Sequence, residues 1–356
     1  MTKAEWPRRQ FLAGFAGLGL GACSPLLQKP LITINLTEPA IPPALEGDAG
    51  AHLDTALDEA RRMTVPVRVN GHGPFQFVVD TGANRSVIGA ELAERLHLPT
   101  AGETPVHGIA GVEPASLFKV TRMQVGTTYA SGLELPGLPV AKLGADGLLG
   151  VDVMHNRRVT MNFLGNEFEI GVSQYGAAIT PMRGSRLADP GPQIISVPAR
   201  YRFGQLVIVG AEVAGAPVSA FLDSGAQISV GNPALRDAVL RQHPEMAARL
   251  INVPLISATG QTADGQLAHL PPLRLGGLKI QSLTVVFADL HIFKLWELQD
   301  RPAILIGIDV LRQFERVVLD FGQHEVIFEA PSPGRAPRLA PLAGNPFGGI
   351  GDLIRQ

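Results

Sequence analysis

Two short stretches of this 356-residue chain carry the same set of reactive groups. Val78-Val79-Asp80-Thr81-Gly82-Ala83-Asn84 and Phe221-Leu222-Asp223-Ser224-Gly225-Ala226-Gln227 each run apolar into an aspartate, then a hydroxyl, a glycine, an alanine and an amide. A single Asp-Thr-Gly after an apolar run can be no more than a solvated turn. The repetition argues for more. Asp80 and Asp223 stand 143 positions apart (223 less 80), and Pro74 and Pro217 upstream keep the same spacing. Two carboxylates brought together could divide the roles of general acid and general base between them.

The elements around each aspartate also come in pairs. Gly147-Leu148-Leu149-Gly150-Val151-Asp152 answers Ile304-Leu305-Ile306-Gly307-Ile308-Asp309, and Val159-Thr160-Met161-Asn162-Phe163 answers Val317-Val318-Leu319-Asp320-Phe321. Short apolar or alternating runs closed by Gly, Pro and Asn turns read as strands. Helical spacing is confined to 90–96 and 234–250, to a short patch around 53–62, and to single turns near Asp152 and Asp309, where those acids suit helix capping. The expected architecture is all-β, in two related lobes.

Composition agrees with a turn-rich globular chain: 40 Gly, 29 Pro, 46% apolar and 17% charged residues. A net charge of −2 with no basic run gives no footprint for nucleic acid. The N-terminus reads as an address. Arg8-Arg9-Gln10-Phe11-Leu12 before the short apolar run 13–22 resembles a twin-arginine export signal, and Leu20-Gly21-Ala22-Cys23 resembles a bacterial lipobox. Cys23 is the only cysteine, so it forms no internal disulfide and completes no cysteine metal site; lipidation is its expected use. Ser24 after it favours the outer membrane, on the periplasmic side. The expected organisation is signal 1–23, linker 24–60, first lobe 61–175, linker 176–200, second lobe 201–330 and a Pro/Gly-rich tail 331–356.

A doubled apolar-apolar-Asp-Thr/Ser-Gly, each followed by a later apolar-apolar-Gly, resembles the aspartic protease superfamily. The alanine after each glycine places the likeness nearer the retropepsins and bacterial aspartyl proteases than the pepsins. The resemblance spans residues 63 to 330 and implies a bilobed acid-protease fold of two retropepsin-like β-barrel lobes with short helices, both halves in one chain. It implies an aspartic endopeptidase acting on a peptide or protein, with Asp80 and Asp223 catalytic and no cofactor. Thr81, Gly82, Ser224 and Gly225 would support the paired loops, and the rear glycines would lie where backbones cross. The built-in duplication implies a monomer. It also implies flaps: His107-Gly108-Ile109-Ala110-Gly111 in the first copy and Ala258-Thr259-Gly260 in the second. The alternative on the same fold is a catalytically silent peptide-binding or scaffolding lipoprotein of the cell envelope. Retention of both aspartates, both hydroxyls and both glycines favours the enzyme.

Ala83 and Ala226 stand where pepsin-like enzymes carry a hydroxyl that stabilises the carboxylate anion. Without that donor the pair should ionise less readily, which predicts a mildly acidic to near-neutral optimum. The nine histidines show no metal-ligand spacing, so no metal is expected. Asn84 and Arg85 read as decoration of their turn. The apolar stretch from Leu290 to Trp296, extra in the second copy, reads as core packing.

Overall fold

A computed structural model describes residues 51–58, 62–108, 110–173, 193–256 and 261–331. Cys23, Ile109, Ala258, Thr259 and Gly260 lie outside the described residues. The protein is all-β with a few short helices, in two lobes. In the first lobe, strands Met63–Val69, His72–Val79, Gly147–Leu149, Val87–Gly89, Thr128–Leu138 and Val112–Val125 pair in that order. The barrel closes where Val67, Arg68 and Val69 meet Val125, Gln124 and Met123. Strand Gly147–Leu149 lies between His72–Val79, to which it is parallel, and Val87–Gly89, to which it is antiparallel. The second lobe repeats this feature: Ala303–Ile306 runs parallel to Ser219–Leu222 and antiparallel to Val230–Gly231. Strands enclosed on both sides and both faces must be apolar throughout, which is why these read Gly-Leu-Leu and Ala-Ile-Leu-Ile rather than alternating.

The lobes share a sheet. Strand Arg157–Asn162 of the first pairs antiparallel with Arg316–Asp320 of the second, with Thr160 opposite Val318. These two residues are each other's counterparts in the repeat, so the pairing places a local twofold between the halves. On one flank the sheet continues through Glu167–Val172 to Ala51–Asp54, and on the other through Glu325–Glu329 to Ile194–Arg202. The helical patch expected around 53–62 is therefore corrected: Ala51–Asp54 and Ala56–Leu57 are strands. Leu53 and Leu57 have helical spacing, but the edge of strand Glu167–Val172 satisfies the backbone first, with Leu53 opposite Phe168. Helix Ala90–Arg95 forms as the spacing predicts. The second helix, capped by Asn232 Oδ1 accepting from Leu235 N at 2.9 Å, stops at Gln242. Pro244 biases His243 away from helical angles, and a 3-10 segment Pro244–Arg249 replaces the rest.

Candidate active site

Each aspartate stands at the end of a buried strand, and the strand behind it holds it in place. Asp80 N donates to Leu149 O at 3.0 Å and Asp223 N to Ile306 O at 2.9 Å. The rear chains then cross beneath the loops: Val151 N donates to Ala83 O and Ile308 N to Ala226 O, both at 2.8 Å. A Cβ on Gly150 would lie 2.7 Å from Ser86 N, and one on Gly307 2.9 Å from Ala226 O. Only glycine permits those crossings.

The loops meet across the twofold. Thr81 Oγ1 donates to Leu222 O at 2.8 Å and accepts from Ser224 N at 3.0 Å. Ser224 Oγ donates to Val79 O at 2.7 Å and accepts from Thr81 N at 3.1 Å. Both hydroxyls are buried, so each has exchanged water for two fixed partners on the other lobe. Asp80 Oδ1 accepts from Gly82 N and Ala83 N at 2.9 and 3.0 Å, and Asp223 Oδ1 accepts from Gly225 N and Ala226 N, both at 3.0 Å. The glycines face the opposite carboxylates. A Cβ on Gly82 would lie 2.5 Å from Asp223 Oδ1, and one on Gly225 2.5 Å from Asp80 Oδ1.

The carboxyl groups of Asp80 and Asp223 thus face each other across the twofold, each over the other lobe's loop glycine. Burial raises Asp80 above the usual carboxylate range, against the pull of Arg62, the Gly82 and Ala83 N–H groups and the Asp223 carboxyl. Burial and then the Asp80 charge push Asp223 up to about 7, against the Ala226 and Gly225 N–H groups and Arg62. Such a pair retains one proton where isolated aspartates have none. One member can accept a proton while the other donates one.

Several participants were missed or misread from the sequence. Asp152 and Asp309 do not cap the short helices that contain them; Gly150 and Gly307 occupy the cap positions. Asp152 instead accepts from Ser86 N and Ser86 Oγ at 2.9 and 2.7 Å, and Asp309 accepts from Ser229 Oγ at 2.9 Å. Those serine oxygens in turn accept from Gly150 N at 2.9 Å and Gly307 N at 3.0 Å, tying rear strand to Asp loop in both lobes. Burial raises Asp152, and it pushes Asp309 up to about 6, in each case against the serine bonds. The signal was available, since Ser86 and Ser229 share the spacing of 143. Asn84 is more than decoration: its Nδ2 donates to Phe203 O at 2.9 Å and its Oδ1 accepts from Gln205 Nε2 at 2.5 Å.

The two hairpins expected as flaps are strands Thr100–His107 with Val112–Val125 and Ile251–Ile256 with Thr262–His269. At the first tip Gly108 N donates to Gly111 O at 2.8 Å. Gln261, beside the second tip, packs on Gly111 and donates from Nε2 to Val112 O at 3.2 Å. His107 Nδ1 lies 2.9 Å from Nε2 of His291, with the rings stacked at 5.2 Å. His291 opens helix His291–Leu295, part of the extra stretch in the second lobe. Farther along that stretch, Trp296 is buried and stacks on Phe221 at 4.4 Å and on Phe203 at 5.9 Å. Among the described residues no group of three or more His, Cys, Asp or Glu side chains is placed to hold a metal ion.

Two lobes related by a twofold, each contributing one Asp loop to a shared, hydroxyl-locked pair of carboxylates, define the acid-protease class in its tandem, retropepsin-like form. The aspartyl protease family model matches residues 65–153 and 209–310, one match per lobe and more than half of the chain, and the chain belongs to that family. No curated protein matches it in sequence.

Proposed function

We propose that the protein is an aspartic endopeptidase whose catalytic groups are Asp80 and Asp223. The observation that carries this reading is the carboxyl pair itself: two aspartates facing each other across the twofold, Asp223 buried and Asp80 half-buried, each steadied by two backbone N–H groups. In the reaction a water held between the carboxyls gives a proton to the ionised aspartate as its oxygen attacks the scissile carbonyl carbon. The protonated aspartate donates a hydrogen bond to the developing oxyanion, and a proton then passes to the leaving nitrogen as the C–N bond breaks. The hairpin of Thr100–His107 with Val112–Val125 and that of Ile251–Ile256 with Thr262–His269 would grip an extended peptide by backbone pairing. Digestion of a diverse peptide library from pH 3 to 8 tests the reading, with Asp80→Asn and Asp223→Asn in parallel. Cleavage that disappears in both variants supports it. Cleavage that survives either variant refutes the dyad, and a folded wild type that cuts nothing favours the silent binding protein.

The same proposal extends to location. The twin-arginine pattern at Arg8-Arg9 and the lipobox ending at Cys23 support export and lipid anchoring on the periplasmic face of the outer membrane, with the protein working as a monomer. Cys23→Ser should release the exported chain from membranes; retention of that variant in the membrane fraction would refute the anchor.

A further inference from the structure

The dyad is symmetric in its lock and asymmetric in its surroundings. Position 205 is the counterpart of position 62 at the spacing of 143. Gln205 is buried and reaches across the lobe boundary, donating to Gly82 O at 3.1 Å and to Asn84 Oδ1. It is a neutral side chain steadying a neutral loop. Its counterpart Arg62 is also buried but cationic, and its partners differ. Arg62 N donates to Asp58 Oδ1 and Arg62 Nε to Asp58 Oδ2, both at 2.7 Å, while Nη2 lies 2.6 Å from Oδ2. Nη2 also donates to Leu143 O at 2.5 Å. Gly144, at φ +73°, makes room: a Cβ there would sit 2.9 Å from Nη2. Thr64 pairs antiparallel with Val78, so Arg62, two residues before the one, and Asp80, two residues after the other, stand at the same end of that strand pair. A guanidinium anchored at three points out of solvent keeps its charge in one place there, where it acts on both Asp80 and Asp223.

We propose that Arg62 and Asp58 are positioning residues for the dyad: Arg62 holds a fixed positive charge beside the two carboxyls, Asp58 orients and partly neutralises it, and the segment Ala51–Asp58 is thereby a working part of the enzyme rather than a removable leader. The inference rests on the reading of Asp80 and Asp223 as the catalytic pair. The other charged or titratable groups around the pair do not supply this asymmetry. Asp152 and Asp309 stand behind the two loops as counterparts, Arg85 acts on Asp152, and His107 and His291 pair at the flap. A removed Asp58 carboxylate leaves the cation at full strength and favours ionised aspartates. A removed Arg62 leaves an extra anion and disfavours them.

The test uses the full chain and two readouts. Carboxyl 13C signals of labelled aspartate, assigned with Asp80→Asn and Asp223→Asn, follow the pair from pH 3 to 9 without needing activity; kcat/KM on a library-derived peptide follows it through the reaction. Asp58→Asn should move the pair's titration and the acidic limb of the rate profile down by roughly half to one pH unit, and Arg62→Gln should move both up by a similar amount. The double variant should return close to wild type. Arg62→Lys, which keeps the charge, should stay nearer wild type than Arg62→Gln, and with Asp58→Asn it decides the matter if Arg62→Gln does not fold. Single variants that shift together in one direction, or not at all, overturn the proposal. Shifted carboxyl titrations without cleavage by any variant would sink the peptidase reading and leave the charge pair standing. Cleavage with one pH profile throughout would do the reverse.

Discussion

Bringing Asp80 and Asp223 together should make the protein measurably less stable at neutral and alkaline pH, and Asp223→Asn should relieve that cost. In the native state Asp223 titrates at about 7, against 3.8 for an ordinary aspartate. The native pair therefore holds a proton that the unfolded chain has already released. Unfolding between about pH 4 and 7 sheds protons, so this contribution to stability is fully present below pH 4 and declines as pH rises through 7. Each unit of displacement corresponds to about 1.4 kcal/mol, so the whole displacement would amount to roughly 4 kcal/mol. Asp80 is only half-buried, and solvent screening brings the expected effect to about 2–4 kcal/mol. Asparagine resembles the protonated acid in shape, and its amide oxygen can keep the bonds from Gly225 N and Ala226 N. Urea unfolding at pH 4 and pH 8 should find Asp223→Asn close to wild type at pH 4 and more stable by about 2–4 kcal/mol at pH 8. Asp152 and Asp309, also raised by burial, produce a decline of the same sign. They are present in both proteins and cancel in the difference. An advantage equal at both pH values, or none at pH 8, would refute the coupling of the carboxyls.

Ser224→Ala removes one bond to Val79 O and strands Thr81 N, both buried, and should cost about 2–4 kcal/mol in urea unfolding. Thr81→Val should cost a similar amount, and the double variant less than the two together, because the hydroxyls serve one network; strict additivity would argue against the lock. Gly225→Ala would press a methyl onto Asp80 and should lower turnover by about a hundredfold or more in a folded protein, an outcome checked by single-turnover cleavage beside circular dichroism. Burial and then His291 lower the basicity of His107, so the contact disfavours a proton on His107, and by linkage the contact between the first hairpin and the second lobe holds at neutral pH and weakens as pH falls. Hydrogen exchange in Thr100–His107, corrected for intrinsic rate, should accelerate between pH 7 and 5; unchanged protection would count against the His–His contact as a latch.

Local pattern made the dyad legible because its requirements are local. A carboxylate at a strand end, a hydroxyl, then a glycine must be contiguous, and duplication printed them twice. The rear strands were legible for a similar reason, since a strand enclosed on every side has to be an unbroken apolar run. What escaped depended on partners far away in the chain. The patch around 53–62 has spacing that suits a helix, and only strand Glu167–Val172 makes Ala51–Asp54 a strand. Asp152 and Asp309 follow a helix-starting glycine, a place where caps are common, and only the fold shows that Ser86 and Ser229 take their oxygens. Arg62 was read only as the end of the short helical patch, because neither Asp58 nor Leu143 O marks itself in sequence as a partner.

The asymmetry around the dyad has a physical consequence for a two-lobed chain. Two identical halves would surround the carboxyls with identical groups, so no fixed charge could distinguish the aspartates. Here the lock common to both lobes, Thr81 with Ser224 and the Gly150 and Gly307 crossings, is duplicated. The differences fall outside it: Arg62 with Asp58 against Gln205 with Asn84, and helix Val140–Leu143 against the larger insertion carrying His291 and Trp296. Arg62 bears on the electrostatic field of the pair, and His291 on the contact between the first hairpin and the second lobe. The lock keeps the geometry that paired carboxyls require, which leaves the surroundings free to diverge and to decide which aspartate keeps the proton.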